Sequence, residues 1–188
     1  MPEFIFKINN EVHYSTKLTS LRCEDTNKKG GRCKRRCVIG SPYCYTHLAY
    51  KHHLTIKKST IPNAGNGLFA VDPLSSDKND IIYRKGDTVI KYFGEIINLN
   101  ELIARYADKT GPYVVQMSQN RYMDAAKIRG VGSLANTLPN NNNATLSVSQ
   151  NSVSLKATKN IKNGDEILLS YGRGYKLNEN GVDFQTKK

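Results

Sequence analysis

Apolar positions along this chain come in short bursts, and most of the bursts carry the signature of strands. Phe4, Phe6 and Ile8 share one face at a period of two and predict a strand, with Val12 to Tyr14 as its return. Ile61 to Ala70 is a turn rich in Gly and Asn that runs into an apolar strand. Tyr83 to Ile97 turns at Gly86-Asp87 and continues as a β-branched strand ending near Gly94. Helical spacing shows in Leu99 to Ala107, where Leu102, Ile103, Tyr106 and Ala107 follow an Asn that can cap. Tyr113 to Met117 predicts another strand, and the short Tyr122 to Ala125 precedes a glycine-rich turn. Thr145 to Val148 and Val153 to Ala157 read as a hairpin, and Asn160 to Gly172 closes the series with a turn and a strand. The expectation is a mainly β chain.

Gly130 to Ala144 departs from this pattern. It is too rich in Asn for a core element and too apolar at its start for a linker. Asn140 to Asn143 follow Pro139, and Asn favours turns because its amide bonds its own backbone and it tolerates positive φ. Leu134-Ala135-Asn136 reads as a buried segment that runs into an exposed loop and presents Asn136 at the junction. Binding groups concentrate at such junctions between scaffold and loop.

Composition narrows the class. The chain has 188 residues, room for one domain of ordinary size plus a small appendage. At 38% hydrophobic and 23% charged it can bury a core. A net charge of +12 implies an acidic partner or a surface drawn to nucleic acid, against the plainer alternative of a lysine-rich chain with no specific partner. No apolar run has the length needed to cross a bilayer, and the N-terminus lacks the basic and apolar regions of a signal peptide. The expectation is a soluble intracellular protein with no membrane partner, in nucleus or cytoplasm.

In a reducing compartment, four cysteines argue for metal rather than disulfides. All four, Cys23, Cys33, Cys37 and Cys44, lie in residues 21–48, and His47 follows the last as C-x-x-H. This window cannot form a core by itself, and a tetrahedral zinc bound by three thiolates and one imidazole would supply its folding energy. Cys44 and His47, three apart on the first turn of a helix, would point the same way. The window resembles a small cysteine–histidine pattern, zinc-knuckle-like, that occurs as a short appendage in viral and phage proteins. That resemblance selects Cys23, Cys33, Cys44 and His47 as ligands and leaves Cys37 spare. Binding by all four thiolates without His47 is the competing arrangement, and reduced buried thiols are the plainest one. Lys28 to Arg36 are strongly basic and suggest phosphate contacts or a solvated face.

Taken in order, A-G-N-G-L-F-A, K-G-D-T-V-I-K-Y-F-G-E-I-I, Y-M-D-A, L-A-N, N-A and I-K-N-G-D-E-I-L-L-S-Y-G resemble the SET-domain lysine methyltransferases. The likeness divides the chain into an N-terminal strand segment (1–20), the cysteine segment (21–48), a linker running into a strand (49–60), a SET domain (61–172) and a tail (173–188). It implies a fold of short β-sheets in which the segment near Asn136 and the C-terminal strand cross in a pseudoknot. It also implies S-adenosylmethionine as methyl donor and a protein substrate with an accessible lysine, such as a histone tail. Donor and lysine would enter from opposite faces and meet through a narrow channel.

Residue by residue, the resemblance makes Tyr171 the catalytic tyrosine, with Tyr92 beside it. Tyr92, Tyr113 and Leu169 would line the lysine channel. Gly65, Asn66 and Gly67 would offer backbone to the donor, and Asn136, Thr137 and Tyr171 would complete its site. Leu169 stands where the family often has Phe or Tyr, at the position that limits how many methyls fit. Two departures are plain. Thr137 replaces the histidine of the usual Asn-His pair, and the cysteine-rich segment that often follows the domain is missing. Tyr175, Leu177 and Phe184 of the tail are candidates to cover the channel in its place. The alternative reading is a SET-shaped binding module that has lost turnover, with Thr137 as its mark and a basic zinc segment touching nucleic acid or chromatin.

Overall fold

Short strands joined by tight turns account for most of the elements, as the alternating pattern predicts. The computed structural model describes residues 22–38, 41–107, 111 and 113–171 with their side chains, and strand backbone at 3–8, 11–17, 175–178 and 181–184. Strand β1 (Glu3–Ile8) pairs antiparallel with β2 (Glu11–Lys17), placing Phe6 opposite Tyr14. Helix α1 (Tyr45–His52) follows the cysteine segment and leads through His53, in the left-handed region at φ 50°, into β3 (Leu54–Lys58). The stretch 49–60, expected as a linker into a strand, is therefore the end of a helix, its cap and a strand. The helix escapes periodicity because its eight residues bury only Leu48.

Strand β3 pairs with β4 (Asn66–Ala70). Then come β5 (Ile81–Tyr83), β6 (Thr88–Tyr92) and β7 (Glu95–Ile97). Helix α2 (Leu99–Tyr106) starts where the sequence places it: Asn98 accepts from the Glu101 amide while the Glu101 carboxylate accepts from the Asn98 amide. Tyr106 is buried, but Ile103, in helical register with it, is exposed. Strands β8 (Val114–Ser118) and β9 (Arg121–Asp124) join β7 in a sheet ordered β7-β9-β8. The expected hairpin forms as β10 (Ala144–Val148) and β11 (Val153–Ala157), with β6 on its far side. Strand β12 (Ile161–Lys162) pairs with β5, and β13 (Tyr175–Asn178) with β14 (Gly181–Phe184). The side chains of Tyr175, Leu177 and Phe184, and Gly172, lie outside the described residues.

One core serves these sheets. Leu54, Leu68, Leu155, Ile161 and Ile167 are fully buried in it. Val38 and Leu48 of the cysteine segment sit in the same core, so that segment is packed into the main domain. A fully buried carboxylate ties α2 to β9. Asp124 accepts from Arg105 Nη1 (2.8 Å), the Tyr106 hydroxyl (3.0 Å) and the Ala126 amide (2.9 Å), while Arg105 also meets Glu95 (2.9 Å). A buried charge is tolerated when it is paired and hydrogen-bonded in this way.

The crossing lies at the C-terminal end. After β12 the chain runs beside β4, with Ala70 donating to the Asp165 carbonyl (2.9 Å) and Ile167 to that of Leu68 (2.7 Å). It then passes between the two ends of the loop 136–144, forming parallel bridges with both, Asn136 to Leu168 and Ala144 to Leu169. The Asn143 side chain acts as a further piece of backbone: its Nδ2 donates to the Glu166 carbonyl (2.8 Å) and its Oδ1 accepts from the Leu168 amide (2.8 Å). Within the loop, Asn140 takes φ 67° and Asn142 Oδ1 accepts from the Leu138 amide (3.1 Å). The run of asparagines is a set of local turn and bridging contacts, which is why the stretch is neither core nor linker.

Candidate active site and metal centre

Two cavities meet beneath the crossing. The smaller, about 40 Å³, is lined by Tyr92, Tyr113, Leu146, Leu169 and Tyr171 with Gly132, Ser133 and Ala135. The larger, about 290 Å³, is lined by Gly65, Asn66, Asn136 and Tyr171, together with Tyr45 and Arg129. Tyr113, Ser133 and Tyr171 belong to both linings. Asn136 and Tyr171, 35 residues apart in sequence, are thus brought to one cavity because the threaded strand lays 168–170 alongside 136 and 144.

The tyrosines are fixed by backbone carbonyls. The Tyr171 hydroxyl donates to the Ala135 carbonyl (2.8 Å), and the Tyr92 hydroxyl donates to that of Tyr113 (3.0 Å). Tyr113 packs against Tyr106 and Ala126, and the Arg129 guanidinium lies 4.0 Å from its ring centroid. Leu169 is buried and bonded through its amide to the Asn136 carbonyl (2.7 Å). The smaller cavity is therefore narrow and aromatic, the kind of passage that excludes water around one side chain.

Gly65 and Asn66 line the larger cavity; Gly67 and Thr137 do not. Gly65 takes φ 72°, and a Cβ there would meet nothing within 4 Å, so its backbone faces open space. Gly67 makes room for protein instead. A Cβ there would lie 2.2 Å from Glu166 Oε1 and 3.2 Å from Asn136 Nδ2. The Thr137 hydroxyl turns to Asn142 (3.4 Å), away from both cavities.

Glu166 is the residue that sequence reasoning missed. Only 7% exposed, it accepts from Ser59 Oγ (2.7 Å), the Thr60 amide (2.8 Å), Thr60 Oγ1 (2.5 Å) and Asn136 Nδ2 (3.0 Å). Burial alone would raise its pKa, but the donors from Thr60, Asn136 and Ser59 outweigh it and hold the carboxyl below its ordinary 4.5. Asn136 Nδ2 also donates to the Asn66 carbonyl (3.1 Å), so the amide is held from two sides. Glu166 lies inside the motif I-K-N-G-D-E-I-L-L-S-Y-G, but nothing local marks its side chain as a partner of Asn136. Tyr45, Arg129 and Ser133 were missed as well, for want of any local pattern.

The cysteine segment forms a compact cluster. The ligand atoms of Cys23, Cys33, Cys44 and His47 all lie within 4.8 Å of one another. His47 Nδ1 is 3.2 Å from Cys23 Sγ and 3.6 Å from Cys44 Sγ. Bond lengths of about 2.3 Å to sulfur and about 2.0 Å to nitrogen place tetrahedral zinc ligands roughly 3.6 Å apart, so these four residues can hold a zinc ion. Cys44 is the N-cap of α1 and His47 lies one turn in, as the spacing predicts. Burial opposes ionisation of Cys44, but the amides of His47 and Thr46 at the helix start and the Cys23 and Arg35 side chains outweigh it, lowering the thiol pKa. Cys37 is outside the cluster, its thiol donating to the Pro42 carbonyl (3.1 Å). Arg22 and Arg32 brace the segment by donating to the carbonyls of Cys33 and Cys23 respectively.

The sequence model of the SET domain matches residues 3–172. The chain belongs to the SET domain family. Among solved structures, this SET domain is similar to ctPRC2 in an autoinhibited conformation bound to S-adenosylmethionine, at 25% identity and a TM-score of 0.51, covering 64% of this chain and 15% of that one. It is also similar to the Chaetomium thermophilum polycomb repressive complex 2, at 27% identity and a TM-score of 0.50, covering 63% and 15%. An active polycomb repressive complex 2 in the basal state matches at 27% identity and a TM-score of 0.51, covering 64% and 15%. The chain thus corresponds to about 15% of the length of those proteins. No curated protein matches it. Among the described residues, no helix is long and apolar enough to cross a membrane.

Proposed function

We propose that this SET domain is an S-adenosylmethionine-dependent protein-lysine N-methyltransferase. The observation that carries the reading is the pair of cavities that meet at Tyr113, Ser133 and Tyr171. One is roomy and carries the Gly65–Asn66 backbone, the Asn136 junction and an arginine. The other is narrow and aromatic. A donor of nucleoside size suits the first and an extended alkylamine the second.

S-adenosylmethionine, when bound, supplies an electrophilic methyl group on a sulfonium. The residues of the chain do the rest by positioning. Asn66, Gly65 and Asn136 hold the larger cavity in shape, with Glu166 fixing the Asn136 amide. Tyr92, Tyr113 and Leu169 wall off water, which favours the neutral, nucleophilic form of a lysine amine over its ammonium. The Tyr171 ring stands at the meeting point, its hydroxyl anchored on Ala135, and orients the amine for in-line attack. Against the non-catalytic alternative, which takes Thr137 as its mark, the presence of both Tyr92 and Tyr171 in the narrow lining supports turnover.

A histone tail is the substrate class we favour. Residues 22–58 carry ten Lys and Arg against two acidic residues, a surface for DNA phosphates beside the tail. Zinc at Cys23, Cys33, Cys44 and His47 would hold that basic segment on the domain. Transfer of radiolabelled methyl from S-adenosylmethionine to nucleosomes and to free histones tests this, with Tyr171→Phe as the inactive control. Absence of transfer together with absence of donor binding by calorimetry refutes the enzyme. Salt-independent binding to nucleosomes refutes the nucleic-acid contact.

A further inference from the structure

Two residues in the lining of the larger cavity, Tyr45 and Ile56, come from outside the 61–172 region. Tyr45, the first residue of α1, shares that lining with Asn66 and Asn136, although it belongs to the cysteine segment. Its ring is 57% exposed, unusual for an aromatic side chain at the rim of a cavity it is not needed to fill. The surrounding wall is apolar where Tyr45 stands, with Ile56 and Leu134 also in the lining.

The helix that carries Tyr45 is held firmly. Its N-cap is Cys44 and its third residue is His47, both members of the metal-binding cluster. Leu48 anchors it in the main core, and the Tyr83 hydroxyl donates to the His52 carbonyl at its far end. Tyr45 therefore has no freedom to leave the cavity except by rotating its own side chain. A flat, exposed ring on a rigid helix beside a polar junction is a ready platform for a planar heterocycle.

We propose that Tyr45 contacts the purine base of the methyl donor, so that the cysteine–histidine segment forms part of the donor site as well as a basic appendage. The inference rests on the assignment of the larger cavity to the donor.

The test is calorimetric titration of the full chain with S-adenosylhomocysteine. Wild type binds, Tyr45→Ala weakens binding about tenfold, and Tyr45→Phe stays within about twofold, since the ring and not the hydroxyl makes the contact. Tyr50→Ala, an exposed tyrosine on the same helix outside the cavity linings, leaves affinity unchanged. Saturation-transfer NMR supplies a readout that loss of fold cannot imitate: with ligand bound, irradiating the tyrosine ring protons saturates the purine H2 and H8 in wild type, and less so relative to the ribose protons in Tyr45→Leu that still binds. If wild type binds and Tyr45→Ala binds equally well, this inference fails and the donor assignment stands. If wild type does not bind at all, the donor assignment fails and takes this inference with it.

Discussion

Exchange of Glu166 for Gln tests the most constrained group near the site. Its Oε1 accepts from Ser59 Oγ and Asn136 Nδ2, and its Oε2 from the Thr60 amide and Thr60 Oγ1. Glutamine has the same shape but presents an NH₂ at one end, and at either end that group faces two donors. The hydroxyl of each pair can turn to accept, but the N–H cannot. One hydrogen bond to a charged group is lost outright and the others fall to neutral strength, an expected loss of about 3 kcal/mol. Urea unfolding at pH 7 measures it. The pH dependence gives a second check. Glu166 is held below its ordinary 4.5 in the fold, so its contribution is complete above that value and disappears as pH falls through the folded-state pKa. The gap between wild type and Glu166→Gln must therefore be widest near neutrality and close on acidification. A gap under about 0.5 kcal/mol at pH 7, no larger than an ordinary surface change, or one that does not narrow in acid, refutes the role given to this carboxylate.

Other substitutions separate stability from chemistry. Tyr171→Phe removes the hydroxyl bonded to Ala135; kcat for methyl transfer should drop about 100-fold, while stability falls by only about 1 kcal/mol in urea unfolding. Gly67→Ala pushes a methyl group to 2.2 Å from Glu166 Oε1 and should destabilise the fold by about 1–3 kcal/mol, read as a lowered urea midpoint. Wild type should carry one zinc per chain by atomic absorption, Cys33→Ser should lose it and Cys37→Ser should keep it; equal loss in both would discard the chosen ligand set.

The legible parts of this chain are those whose information is local. The hairpin β10–β11, the capped start of α2 and the placement of Cys44 and His47 on one helical turn each follow from residues within one element. The ordered motifs carried the family, because spacing along a chain survives where single residues do not. Contacts between distant segments leave no such local trace. The G-N-G turn read as two glycines serving a ligand; Gly65 does face open space, but Gly67 accommodates Glu166, 99 positions later in the chain. The contact of the Thr137 hydroxyl with Asn142, inside the asparagine loop, is equally invisible in the sequence. The segment 49–52 read as linker because a short helix with one buried residue leaves no periodic trace.

Those distant contacts share a logic. The threaded strand cannot be held by its own propensity, since beyond Ile167, which bonds to β4, Leu168 to Ser170 pair with the two ends of a loop rather than with long strands. It is held by groups that bridge segments: Asn143 stitches it to the loop at Glu166 and Leu168, and the Glu166 carboxylate ties it to Ser59 and Thr60 before β4. The Asn136 amide, pulled between Glu166 and Asn66, is the point where this framework meets the larger cavity. Any change that loosens the crossing must therefore shift Asn136 and Tyr171 together. If the larger cavity holds the donor, its binding and fold stability are coupled through one buried carboxylate, and a variant such as Glu166→Gln should lose S-adenosylhomocysteine affinity even in the fraction of molecules that remain folded.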